Sequence, residues 1–138
     1  MKNNLFIENF GPYILGLIAT LVWYTNDVSL PTGEGILSSS MTVGAIFTGF
    51  LATAKAILMS LKSRVMKRIK ETGYIVDLVS YLSQAIWLSF SFCILSLLGY
   101  FFPAYPSWYG YLWIAIAVSM AFAFIRVTNI MLKILKKD

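Results

Sequence analysis

The sequence predicts an all-α fold: a polytopic membrane protein of four transmembrane helices with both termini in the cytosol. Three observations carry that prediction. The first is composition. Of 138 residues, 59% are hydrophobic and only 12% are charged, and mean hydropathy is +0.76. A soluble domain carries about 25% charged residues, and half that proportion leaves too little polar surface to cover a water-soluble particle of this size. The second is three long uncharged stretches, at 9–26, 35–54 and 78–125. The third is the placement of the basic residues, which fall on one side of those stretches.

The first helix, about 10–25, opens at Gly11-Pro12, where a proline in the first turn sacrifices no hydrogen bond. Lys2 is the only base ahead of it, Glu8 interrupts the apolar run, and no small-residue cleavage pattern follows. The segment therefore reads as a retained helix and not a cleaved signal. The second helix, about 36–61, covers the second stretch, whose 20 residues suffice for a bilayer core of about 30 Å. The third stretch holds 48 residues, too many for one span. It divides at Pro103-Ala-Tyr-Pro106-Ser-Trp-Tyr-Gly110, where two prolines and a glycine stop a helix. The third and fourth helices follow, about 74–102 and 110–135. One domain, 1–138, results, with outer loops at 26–35 and 103–110 and a basic cytosolic loop at 62–73.

Orientation follows the positive-inside rule. The loop between the first two helices has two acids and no base, and the next outer loop has no charge. With both termini inside, all 11 Lys and Arg fall on the cytosolic half, including Lys62, Arg64, Lys67, Arg68 and Lys70. These five are candidate contacts for anionic inner-leaflet lipid or a cytosolic partner. Trp23, Tyr105, Trp108 and Trp113 form the expected outer aromatic belt.

The same arithmetic excludes chemistries. There is no His and a single Cys, so His/Cys metal sites and His-dependent nucleophilic dyads are out of reach. Without an acidic pair in any span, no general acid–base team can be named, and the chain reads as a non-enzyme with no cofactor and no metal. A soluble nucleic-acid-binding domain is excluded by hydropathy, despite a pI near 9.4. No small-molecule substrate is evident.

Function must then be sought among polar and small residues at membrane depth. Ser38, Thr42, Ala45, Gly49, Ala52 and Ala56 recur at three- and four-residue spacing, a stripe that permits close helix packing within or between subunits. The alternative is a pore wetted by Ser38, Thr42, Thr48 and Thr53. On the third helix Asp77, Ser80, Gln84, Trp87 and Ser91 share a face. Lys55, Asp77 and Arg126 lie at comparable depth and are expected to form an inner-leaflet charge cluster, with Gln84 as its polar extension. The alternative is that both bases snorkel to the headgroups.

Several short stretches carry a resemblance. Tyr13-Ile14 after Gly-Pro, Leu37-Ser38-Ser39, Ser63-Arg64 in a basic run, and Lys70-Glu71-Thr72-Gly73-Tyr74 resemble the Rex-type inner-membrane exclusion proteins of lambdoid prophages. The chain is also similar in size and layout to the membrane subunit of Kiwa-type defence systems. The resemblance implies an anti-phage defence protein of the bacterial inner membrane. Such a protein would be homo-oligomeric, a tetramer being one expected size. It would sense infection, depolarise the membrane or do both, with a cytosolic and in some cases DNA-binding partner. A holin-like pore former and a small four-helix transporter are the competing readings. Asp77 sits too near the cytosolic side to serve as the mid-membrane carboxylate of a proton-coupled exporter.

Overall fold

The structure is a computed structural model that describes residues 2–28, 30, 33–60 and 74–135. Four helices account for nearly all of them: α1 (Lys2–Thr25), α2 (Glu34–Ser60), α3 (Tyr74–Gly99) and α4 (Ser107–Leu135). The basic loop at 62–73 lies outside the described residues.

α1 starts eight residues ahead of the position the sequence suggested, so Pro12 lies inside it. A proline normally pushes the preceding residue out of helical geometry by colliding with its Cβ. Here that residue is Gly11, which has no Cβ. α3 closes three residues earlier than expected. The amides of Tyr100, Phe101 and Phe102 donate to the carbonyls of Leu97, Leu98 and Gly99 at 3.1–3.3 Å, tightening the last turn. α4 begins at Ser107, and the Tyr109 amide donates to the Pro106 carbonyl at 2.9 Å.

α1 packs on α4, α4 on α3, and α3 on α2. α3 is the centre of the arrangement: 39% of its apolar window is buried, against 22% for α4 and 11% for α2. The core runs along its inward face through Leu78, Leu82, Ala85 and Phe92, meeting Leu51 of α2 and Met120, Ala123 and Val127 of α4. Phe47 of α2 stacks on Phe124 of α4, 4.1 Å between centroids and 12° apart in plane.

Two glycines set the closest approaches. A Cβ on Gly44 would lie 3.1 Å from the Ser89 carbonyl and 3.2 Å from Cys93 Cβ, so α2 meets α3 there. A Cβ on Gly16 would collide with Ser119 Oγ and lie 2.6 Å from the Ala115 carbonyl, so α1 meets α4 there. Ser119 Oγ is within 2.9 Å of the Pro12 carbonyl and 2.7 Å of the Ala115 carbonyl, and it donates across this contact.

Three helices, Gly35–Ser60, Asp77–Gly99 and Ser107–Lys133, are long and apolar enough to cross a membrane, and Phe10–Thr25 is a shorter apolar helix. Their outward faces carry Leu17, Leu21, Ile46, Phe50, Ile94 and Ile125, all exposed. Exposed apolar side chains on successive helices of this length mark a multi-pass membrane protein.

Candidate functional site

At the end of the bundle that holds Lys55 and Arg126, the expected charge cluster does not form. Lys55 Nζ donates to Ser83 Oγ at 2.9 Å. The Arg126 guanidinium lies over the Tyr81 ring, 3.4 Å from its centroid. Asp77 is half-buried in the first turn of α3, and among the described residues no ion pair joins it to either base. Side-chain direction explains the outcome. A helical Cβ tilts toward its helix N-terminus. α2 and α4 run toward this end, so Lys55 and Arg126 lean back toward the middle of the bundle. α3 runs away from it, so Asp77 leans outward. Three residues at one depth therefore diverge. Asp77 instead occupies the turn where a carboxylate complements the helix dipole, an effect of about 0.3–1 kcal/mol. Asp77→Asn should accordingly lower the thermal unfolding midpoint in neutral micelles by no more than a surface substitution does. A loss comparable to breaking a buried pair, about 3–5 kcal/mol, would restore the ion-pair cluster. Gln84 is half-buried further along α3.

The small-residue stripe also departs from one of its expected uses. Ser38, Thr42, Ala45, Gly49, Ala52 and Ala56 are all exposed, and nothing lies within 4 Å of a Cβ on Gly49. The stripe is not the intramolecular packing face; Leu37, Gly44 and Leu51, one step round the helix, are buried instead. The hydroxyls of Thr42, Thr48 and Thr53 each donate to the carbonyl four residues back, at 2.9, 2.7 and 2.8 Å. Turned back in this way, they meet an apolar environment without an open donor.

At the opposite end, the expected aromatic belt divides. Trp108 is exposed, with its ring edge-on to Phe102. Tyr105 is half-buried and stacks on Tyr109, 5.5 Å between centroids. Trp113 is half-buried and packs within the bundle. It tilts against Phe92 at 5.3 Å and donates from Nε1 to Ser96 Oγ at 3.3 Å. Trp23 lines a cleft of about 770 Å³ between the turn after α1 and the turn before α4. Asp27, Tyr100, Phe102, Tyr105 and Tyr111 line it too.

Sequence reading counts Tyr109 only as one more aromatic beside the turn before α4, and misses its role. Tyr109 is fully buried, and its hydroxyl donates to the Leu95 carbonyl at 2.8 Å, fastening α4 to the last turn of α3. A Cβ on Gly99 would collide with that hydroxyl, so the glycine makes room for it. One signal was available, Gly99 and Tyr109 flanking the proline turn, but nothing in it told an inward ring from an outward one.

The five bases Lys62, Arg64, Lys67, Arg68 and Lys70 lie outside the described residues. No family model, no curated protein and no solved structure matches this chain.

Proposed function

We propose that this chain is a homo-oligomeric, non-enzymatic subunit of the bacterial inner membrane that acts in anti-phage defence. In this reading it spans four times with both termini in the cytosol. It senses infection or depolarises the membrane together with a cytosolic partner, and Lys62–Lys70 contact that partner and anionic lipid.

The observation that carries the reading is the exposed stripe on α2. A row of small side chains gains nothing from facing lipid, but it lets a second backbone approach closely. Trp87 supports the same conclusion. It is 68% exposed, halfway along α3, and its ring is edge-on to Phe90. Indole prefers the membrane–water interface to mid-depth, so this position suits a covered surface. The anti-phage role rests on the resemblance to Rex-type and Kiwa-type proteins.

Two substitutions on α2 separate assembly from folding. Gly49 has open space around it, so Gly49→Leu should leave the subunit's unfolding midpoint unchanged and reduce the oligomer to monomer on native mass spectrometry. Gly44→Leu should unfold the subunit, because backbone of α3 stands in the way. Phage plating on cells carrying Gly49→Leu should then rise to the level of cells lacking the protein. An oligomer that survives Gly49→Leu would overturn the α2 interface. Normal protection by a monomer would overturn the link between assembly and defence. Membrane leak on expression without phage or partner would favour the holin-like reading.

A further inference from the structure

The cleft at the aromatic end is independent of that reading, and its chemistry is legible. We propose that it is a binding site for an organic ammonium group, either a soluble cation or the headgroup of an ammonium-bearing lipid.

The volume, about 770 Å³, is within the range of small-molecule sites, about 300–1,000 Å³. Four kinds of observation point to the ligand's charge. Asp27 is the sole charged residue among the described residues that line the cleft. The sequence of this turn contains two acids and no base, so the turn itself brings no cation to the space. Trp23, Tyr100, Phe102 and Tyr105 supply aromatic rings, whose faces attract ammonium groups. The helix dipoles do not reverse the sign: α1 and α3 end here while α2 and α4 begin here, so their termini offset one another and the carboxylate decides the potential.

Asp27 is also held in place. Its φ is 48°, a left-handed conformation that Asp and Asn adopt at modest cost. Its amide donates to the Tyr24 carbonyl at 3.4 Å. The neighbouring Asn26 donates from both its amide and its side-chain nitrogen to the Val22 carbonyl, at 3.3 and 2.7 Å. The end of α1 is thus closed by its own residues, and the carboxylate is not needed as a cap. A carboxylate at a helix C-terminus opposes the dipole, so its position costs stability locally and suits a ligand instead.

The test uses the full chain in neutral maltoside micelles, titrated with tetrapropylammonium chloride and read by tryptophan emission. Saturable binding is expected. Asp27→Asn, which tolerates the same backbone conformation, should weaken it about tenfold without lowering the unfolding midpoint. Trp23→Leu should weaken it as well. Propanesulfonate, an anion with a similar apolar chain, should not saturate. Adding phosphatidylethanolamine to the micelles distinguishes the sources. Competition assigns the site to a lipid headgroup, and its absence assigns it to a soluble cation. Equal affinity in wild type and Asp27→Asn, saturation by propanesulfonate, or no saturable binding of tetrapropylammonium would overturn the proposal.

Discussion

Gly16→Leu should release α1 from α4. A side chain at this position meets the Ala115 carbonyl and Ser119 Oγ, and the carbonyl is backbone that cannot rotate aside. Overpacking usually costs about 1–3 kcal/mol, and an obstacle made of backbone puts this case at the upper end, about 3 kcal/mol. The same displacement breaks the Ser119 contact with Pro12 and the weaker one from Thr20 Oγ1 to the Tyr111 carbonyl at 3.4 Å. Because α1 packs principally on α4, the damage should stay local. Hydrogen exchange should show α1 amides losing protection while those of α2 and α3 keep it. Unchanged protection in α1 would mean that the helix is held elsewhere.

Tyr81→Leu should destabilise the centre of the molecule by a similar amount. Tyr81 is 6% exposed, and its ring lies under the Arg126 guanidinium. A desolvated cation–π contact is worth about 2 kcal/mol, and shrinking a buried aromatic side chain leaves a cavity that adds to the loss. Tyr81→Phe keeps the ring face and should retain more than half of the lost stability. Thermal unfolding in maltoside micelles reads both. If the two variants unfold at the same midpoint, the ring face is not what holds Arg126.

These two expectations mark where sequence reading succeeds and where it stops. The long apolar helices were legible because uncharged length is a one-dimensional quantity. The break at Pro103–Gly110 was legible because proline acts on its own backbone. The contacts were not. Gly49 and Gly44 both sit among small residues, yet Gly44 is buried against α3 and Gly49 is open. The stripe through Gly49 reads as the better packing motif, but which face turns inward depends on the neighbour's position, and that neighbour is 45 residues away in sequence. Trp113 fitted the aromatic belt by position along the chain, and only the rotation of α4 turned it onto Phe92 and Ser96. Among the described residues no ion pair joins Asp77 to Lys55 or Arg126, and the direction in which their side chains lean is the reason. Sequence spacing gives the depth of a Cα, whereas side chains on antiparallel helices lean in opposite directions along the helix axis.

The cleft at the aromatic end shows the same division. Its acids and aromatics were visible as separate features of two turns. That Trp23 and Asp27 line one cavity with Tyr100 and Tyr105 follows from the packing order, in which α1 lies against α4 while α2 lies against α3. Chain order alone would have paired α1 with α2.

By itself the sequence determined the number of helices and which stretches are long and apolar. These follow from the cost of leaving a charge or an open peptide group in hydrocarbon, a cost each residue incurs regardless of its neighbours. The tertiary structure decided which faces meet, which glycines are contacts and which polar groups have partners. Those depend on helix rotation and on the direction each side chain leans, and both are fixed only when the helices pack.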